Sequence, residues 1–174
     1  MTIAAHNNNI WFTGDITESN AHYIIQDLEK ITEPTFFLCS NGGSVAQGFL
    51  LFDYLQYRSQ SKPVNIVGTG SISSAASYLL FTDNPTFVYP HAMMMIHPMA
   101  TSVDPSLETN NFKALTGKID TLTEQLTTIY AKKGLVDPTW QSKSCYYTAD
   151  EIVGLGIASL WANPVVTIGV KHEA

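Results

Sequence analysis

Residues 70–97 constrain the fold of this chain most, because they join a turn of small residues to two apolar segments. The first part, residues 70–77, reads GSISSAAS and runs into an apolar segment, which is typical of a tight strand-to-helix turn. At that helix start, Ser74 would lie beside free backbone N–H groups and the positive end of the helix dipole, which stabilise a developing oxyanion. The second part is an apolar strand that ends at His97. The pattern predicts a Ser74–His97 pair for nucleophilic catalysis.

These residues also have ordinary structural interpretations. Small residues let a helix pack closely, most serines have no chemical role, and a lone histidine after an apolar run is more often structural. The pair gains weight from Gly42-Gly43, which follows a predicted buried strand, since glycines there allow close approach to a ligand or a positive φ. Taken alone, Gly42-Gly43 is better explained as an ordinary strand-to-helix turn than as a ligand-binding loop. The loop matches no phosphate-binding motif, so phosphate binding has weak support.

The composition indicates a single-domain chain that buries surface in an oligomer. Its 174 residues suffice for one hydrophobic core, and 45% of them are hydrophobic whereas only 14% are charged. So few charges are more typical of a subunit than of a free monomer. The formal net charge of −6, without a basic stripe, argues against a nucleic-acid partner.

Cysteine usage and hydropathy limit the ligands and the location. Cys39 and Cys145 form no CxxC motif or His/Cys cluster, so we expect a reducing compartment, no metal and no cofactor. The apolar runs are far shorter than a membrane span, and the polar residues 1–10 do not resemble a signal peptide. The expectation is a cytoplasmic protein without a membrane partner.

Apolar runs alternate with amphipathic segments, which favours an α/β fold with right-handed crossovers. The predicted strands are residues 10–12, 35–39, 64–68, 86–89 and 93–96, with a final strand or extended tail at Trp161 and 165–170. The predicted helices begin after Thr17 or Ser19, after Ser44, at Ser74, after Asp104-Pro105, at Asp137-Pro138 and at the capping box Thr148 to Glu151. Pro34 is expected to end the first helix.

The helix after Pro105 carries a narrow apolar stripe and should end before Gly134. The members of the stripe are spaced four, three, four and three residues apart: Leu115, Ile119, Leu122, Leu126 and Ile129. Such a stripe suits packing against a partner helix or a neighbouring subunit.

Together these segments resemble the proteolytic subunit of the Clp protease, including its phage relatives. The matching pieces follow the family's order at nearly its spacing: Phe12-Thr13-Gly14, 40–45, 70–80, Met95-Ile96-His97, 147–151 and 154–156. Each piece is weak alone, and the combination is specific. The resemblance implies the ββα spiral shared with crotonases, as one peptidase domain over residues 10–161. Residues 1–9 would be a short polar segment, and residues 162–174 a strand or tail.

The resemblance also implies the chemistry. Ser74 would be the nucleophile, His97 its general base, and the N–H groups of Gly43 and Ala75 the oxyanion hole. The segment after His97 would lie beside the substrate. The activity would be that of a serine endopeptidase that cleaves unfolded polypeptides inside stacked rings, with an ATP-dependent unfoldase as partner. The helix over residues 105–133 would be the handle that joins two rings.

Three features depart from the family. The family places an aspartate where this chain has Ser144, and a hydroxyl orients an imidazole without stabilising its positive charge; Asp137 is a candidate substitute acid. The family's glycine pair after the histidine is absent, because the chain continues Pro98-Met99-Ala100. The N-terminal segment is expected to be shorter than in the family and to lack the part that lines the axial pore. We therefore expect slow turnover, an ungated pore and poor coupling to an unfoldase.

Two other functions stay open. One is a weakly active or inactive subunit that completes a mixed ring with an active paralogue. The other is a crotonase-type acyl-CoA enzyme, whose oxyanion hole also uses backbone amides. The crotonase interpretation needs an adenine-nucleotide site and acidic catalytic residues, and the sequence offers no fitting pair.

Overall fold

One mixed sheet organises the chain, and its fourth strand carries the turn that leads to Ser74. The computed structural model describes residues 2–6, 8–99 and 109–162, with side chains for 8–99 and 111–162. Within these ranges the strands are β1 Thr2–His6, β2 Asn9–Thr13, β3 Thr35–Ser40, β4 Asn65–Ser73, β5 Thr86–Val88, β6 Met93–Ile96, β7 Cys145–Thr148 and β8 Ser159–Leu160. The α/β class predicted from the sequence is confirmed.

Strand β4 pairs with different neighbours along its length. The main path of the sheet is β1-β2-β3-β4-β5-β8. The first half of β4 pairs with β5, and its second half, Ser71 to Ser73, pairs in parallel with Met93 to Met95 of β6. Strand β7 then pairs antiparallel with β6. The carboxyl ends of β4 and β6 therefore lie side by side, which brings the residues that follow them together.

The described helices are α1 Glu18–Glu29, α2 Val45–Ser59, α3 Thr109–Ala131 and α4 Ala149–Gly154, with 3₁₀ helices at Ser74–Phe81 and Pro138–Gln141. We call Ser74–Phe81 the Ser74 helix. Thr17 caps α1 and Ser44 caps α2, each by accepting from a backbone N–H three residues on. Helix α1 ends at Glu29, so the prediction that Pro34 ends it is wrong by one turn. Thr148 and Glu151 form the predicted capping box.

The core lies between the sheet and its helices. Strands β2, β3 and β4 contribute fully buried side chains, among them Ile10, Phe36, Leu38 and Ile66, as expected of parallel strands covered by other elements. The Ser74 helix is itself buried from Ala75 to Phe81. A helix enclosed in this way has little freedom to shift, so its first residue is held in a fixed place.

The two halves of the apolar stripe on α3 differ in how deeply they are buried. Leu126 and Ile129 are buried, at 2% and 8% exposure, and join the core. Leu115, Ile119 and Leu122 are only partly buried. The predicted helix start at Asp104-Pro105 lies outside the described residues. The C-terminal half of the stripe thus packs within the chain, and the N-terminal half leaves apolar surface exposed.

Three strands were not predicted from the sequence. Strand β1 pairs with β2 in antiparallel register, in residues interpreted as a polar segment. Strand β7 pairs with β6, and β8 is a two-residue strand beside β5. The predicted strand at 165–170 lies outside the described residues. No helix in the described ranges is both long and apolar enough to cross a membrane.

Candidate active site

Ser74 lies at the sharp turn between β4 and the Ser74 helix. Its φ is 54°, in the left-handed region that non-glycine residues rarely adopt. Such a conformation costs about 1–3 kcal/mol and persists only where the surrounding structure enforces it. A strained serine between a strand and a helix is the geometry of a nucleophile elbow, which exposes the hydroxyl while burying its neighbours. Ser74 is partly exposed, whereas Ser73 and Ala75 are buried.

His97 contacts Ser74 directly. Its Nε2 lies 2.9 Å from Ser74 Oγ, and its Nδ1 lies 2.6 Å from the carbonyl oxygen of Pro98. Because a carbonyl oxygen only accepts, Nδ1 carries the ring proton and donates it to Pro98. In the neutral ring Nε2 is then free to accept from the Ser74 hydroxyl. The parallel β4–β6 pairing, which ends with Ser73 opposite Met95, brings the two residues together.

Among the described residues, the far nitrogen of His97 therefore meets a backbone carbonyl rather than an acid. The β6–β7 ladder ends at the pair Ile96–Cys145, so Ser144 lies one position beyond it on the side of His97. Ser144 is exposed, and no hydrogen bond of its hydroxyl to His97 occurs within the described ranges. Its role as third triad member stays a prediction.

Asp137, the candidate substitute acid, is engaged elsewhere. Its carboxylate caps the short 3₁₀ helix Pro138–Gln141 by accepting from the Thr139 N–H at 2.9 Å. Hydrogen bonds from the Thr139 side chain and backbone lower the pKa of this exposed carboxyl group below its ordinary value. The structure gives Asp137 a local capping role instead of a contact with His97.

The glycine loop packs against the Ser74 turn. Ile16 donates its N–H to Gly42 O at 2.7 Å and accepts from Ser44 N–H at 2.9 Å. Gly42 has a φ of 100°, and a Cβ there would lie 2.6 Å from Ser74 Cβ. Only glycine permits this approach. The two bonds to Ile16 use the Gly42 carbonyl and the Ser44 N–H, and neither of them involves the Gly43 N–H.

The backbone N–H groups of Gly43 and Ala75 make no hydrogen bond to a turn or loop carbonyl among the described residues. The Ala75 N–H lies in the first turn of the Ser74 helix, where helical N–H groups lack intrahelical partners. The Gly43 N–H belongs to the loop packed against the same turn. Both N–H groups thus belong to segments that meet at the Ser74 turn.

A small pocket opens beside the pair, with a volume of about 110 Å³. Its lining combines polar and apolar groups: Gly43, Val45, Ser74, Tyr78, His97, Pro98, Met99, Leu126 and Tyr130. Larger hollows of about 410 and 500 Å³ lie between α1 and α2 and between α2 and α3, but neither includes Ser74 or His97. We place the candidate site at the smaller pocket because Ser74 and His97 converge there.

The sequence analysis missed two polar residues behind the site. Ser77 is fully buried, and its Oγ donates to the carbonyl oxygen of Ser74 at 2.7 Å. Tyr130 of α3 brings its hydroxyl within 3.1 Å of Ser77 Oγ. The only sequence signal was the position of Ser77 three residues after Ser74; nothing local marks Tyr130. In the described part of the chain, no group of three or more His, Cys, Asp or Glu residues could hold a metal ion.

Sequence comparisons show which known proteins this chain is similar to. A family model described as Clp protease matches residues 2–143. The chain is 38% identical over 96 residues to ATP-dependent Clp protease proteolytic subunit 1 of Chlamydia muridarum, covering 51% of this chain and 49% of that subunit. It is 30% identical over 133 residues to the ATP-dependent Clp protease proteolytic subunit of Cucumis sativus, covering 72% and 66%. The chain thus matches about half to two thirds of the length of these relatives.

Proposed function

Because this chain belongs to the Clp protease family, we propose that it is a serine endopeptidase that cleaves peptide bonds of unfolded polypeptides. The observation that carries the proposal is the 2.9 Å contact between Ser74 Oγ and His97 Nε2, with the proton of the ring held on Nδ1. A serine and a histidine in this arrangement form an activated nucleophile.

In the proposed reaction, Ser74 Oγ attacks the scissile carbonyl carbon and its proton passes to His97 Nε2. The tetrahedral intermediate collapses when His97 returns that proton to the leaving amine, and an acyl-enzyme remains on Ser74. Water, deprotonated by His97, then releases the acid product and regenerates the serine.

The N–H groups of Gly43 and Ala75 are the proposed oxyanion donors. The support for this role is that both groups belong to segments that meet at Ser74 and make no bond to a turn or loop carbonyl among the described residues. Donors fixed in advance in this way commonly make the largest electrostatic contribution to acyl transfer.

The proposed enzyme is slow, because its His97 has no carboxylate partner among the described residues. The Pro98 carbonyl fixes the tautomer, as an aspartate would, but a neutral dipole stabilises the imidazolium less than a full negative charge does. The same observation favours a second candidate function, a weakly active subunit that completes a mixed ring with an active paralogue.

We further propose that the chain works in a ring assembly in the cytoplasm. The partly exposed Leu115, Ile119 and Leu122 give α3 an apolar face that a second subunit would cover. The free thiols of Cys39 and Cys145 suit a reducing compartment. An unfoldase is a candidate partner in such an assembly.

Labelling with a fluorophosphonate probe and turnover of a short peptide ester test the proposal. We expect the purified protein to be labelled and to turn over the ester. Ser74→Ala should show neither labelling nor turnover, and its particle size should match that of wild type. Ser142→Ala is the matched control, since Ser142 is exposed and its hydroxyl bonds only to Thr139 O among the described residues. Equal turnover by Ser74→Ala and wild type would refute the peptidase assignment. Absence of labelling in both would support the inactive ring subunit.

A further inference from the structure

A continuous chain of hydrogen bonds runs from α3 to the backbone at Ser74. Tyr130 Oη lies 3.1 Å from Ser77 Oγ, and Ser77 Oγ lies 2.7 Å from the carbonyl oxygen of Ser74. Ser77 is fully buried and Tyr130 nearly so, at 2% exposure. Burying a hydroxyl in an apolar core costs free energy unless the hydroxyl forms a hydrogen bond. Here the two hydroxyls bond to each other, and Ser77 also bonds to Ser74 O.

The direction of this chain follows from the groups in it. A carbonyl oxygen only accepts, so the single proton of Ser77 goes to Ser74 O. The Tyr130 hydroxyl must then donate to Ser77 Oγ. Burial raises the pKa of Tyr130, so its hydroxyl keeps this proton at neutral pH. The order of donation is Tyr130 to Ser77 to the carbonyl of Ser74.

The carbonyl that receives this bond belongs to the same peptide group as the Ala75 N–H. The peptide is trans, so its N–H and C=O point in opposite directions within one plane. Holding the oxygen on the buried side therefore aims the N–H toward the site. A bond accepted at the oxygen also polarises the peptide and strengthens its N–H as a donor.

We propose that Ser77 and Tyr130 are positioning residues that orient and polarise the Ser74–Ala75 peptide group, and thereby the N–H of Ala75 as an oxyanion donor. The inference rests on the proposed function, because an oxyanion is stabilised only if Ser74 acts as a nucleophile. Both hydroxyls act through this peptide group, and the Tyr130 side chain also lines the pocket beside Ser74. Tyr130 is held for this task by edge-to-face contacts with Phe81 and Trp140, whose ring centroids lie 4.8 and 5.0 Å from its own.

Kinetics give the first test, with Ser77→Ala and Tyr130→Phe as variants. We expect Ser77→Ala to lower kcat for a peptide ester about tenfold, which is less than the roughly 10²–10³-fold cost of deleting an oxyanion donor. Tyr130→Phe should lower kcat only a few-fold. KM and the affinity for a product peptide should stay unchanged. Affinity for a peptide aldehyde, which forms a tetrahedral adduct on the serine, should fall by the same factor as kcat.

Matched controls separate positioning from general damage. Ser59→Ala removes a hydroxyl that also donates at 2.7 Å to a carbonyl three residues back, that of Gln56 in α2. Tyr54→Phe removes a hydroxyl bonded to Glu29, away from Ser74. Both should leave kcat and aldehyde affinity at wild-type values. Equal losses in product and aldehyde affinity, or no loss in Ser77→Ala, would overturn the proposal.

A spectroscopic test needs no turnover. Ser74-Ala75 is the only Ser-Ala dipeptide in the sequence, so labelling serine with ¹³C at the carbonyl and alanine with ¹⁵N yields one correlated NMR signal, from this peptide group. We expect the signal to move in Ser77→Ala, and less in Tyr130→Phe, but not in Ser59→Ala. An unmoved signal in both variants would refute the inference. If the peptidase assignment fails, this signal still decides whether the two hydroxyls hold the peptide.

Discussion

The carbonyl oxygen of Pro98 lies 2.6 Å from Nδ1 of His97, the position that an acid occupies in a Ser-His-Asp triad. The partner of the imidazole is therefore its own neighbour in the chain. This contact needs no distant residue and fixes the tautomer that leaves Nε2 facing Ser74. It supplies a neutral dipole where an aspartate would supply a negative charge, so it stabilises the imidazolium less.

Replacing Ser144 with aspartate should raise kcat for a peptide ester. Ser144 lies one position beyond the end of the β6–β7 ladder, opposite His97, so a carboxylate there could approach Nδ1 and stabilise the imidazolium. Replacing the aspartate of a triad with asparagine costs about 10⁴ in kcat, which is an upper limit for the gain. Ser142→Asp adds the same charge nearby as a control. Flat or lower activity in a folded Ser144→Asp protein would show that Ser144 is not the third position.

Gly42→Ala should destabilise the protein and lower kcat. A Cβ at Gly42 would lie 2.6 Å from Ser74 Cβ and 2.7 Å from Ser73 O, and the φ of Gly42 is 100°. Steric overlap and backbone strain would therefore both destabilise the folded variant. The expected loss in the free energy of unfolding exceeds about 1 kcal/mol, measured by urea titration.

The control for this change is Gly117→Ala, in the middle of α3. A Cβ at Gly117 meets no atom within 4 Å, and the added methyl group should stabilise the helix by about 0.5–1 kcal/mol. Wild-type stability and kcat in Gly42→Ala would contradict the expectation that the close packing of the glycine loop holds Ser74 in place.

Leu122→Glu should yield smaller particles. Leu122 belongs to the partly exposed half of the α3 stripe, and a stable interface there would bury more than about 1,000 Å². A carboxylate in its middle would be desolvated without a partner, which costs several kcal/mol. Thr121→Glu places the same charge on an exposed neighbour and should preserve the assembly. Light scattering decides the outcome: a monomeric wild type at micromolar concentration contradicts the expectation.

The free energy of unfolding should rise as pH increases from about 8 to 10.5 because of Lys133. Burial lowers the pKa of its ammonium group from 10.5 to about 8, while its Nζ donates to Leu80 O and Thr86 Oγ1, both at 2.8 Å. In this window the unfolded chain binds a proton that the folded chain has lost, so stability increases with pH. Below about pH 8 both states are protonated and the contribution is constant.

Lys133→Met provides the reference for this measurement, since it keeps a long side chain without the titrating group. Urea titrations at pH 8, 9 and 10 should show the stability difference between wild type and variant growing in favour of wild type. Titration of tyrosines common to both proteins cancels in the difference. A difference that is flat or shrinks with pH would contradict the assignment of the low pKa to Lys133.

The sequence by itself determined the features that arise within a few residues. Thr17, Ser44 and Thr148 cap their helices through bonds to residues three positions away. Local patterns therefore predicted Ser44 and Thr148 and narrowed the first cap to Thr17 or Ser19. The small residues around Ser74 likewise predicted a tight turn, and its positive φ agrees. The buried strand β3 was readable because a parallel strand covered on both faces is continuously apolar.

Tertiary structure alone decided which groups meet at the site. Ser77 and Tyr130 are 53 residues apart, and only the packing of α3 against the Ser74 helix joins their hydroxyls. The partner of His97 was also undetermined, since the sequence offered Ser144 and Asp137, whereas Nδ1 contacts the carbonyl oxygen of Pro98 in the structure. Strands β1, β7 and β8 escaped prediction because short edge strands owe their form to pairing with a neighbour, which no local pattern encodes.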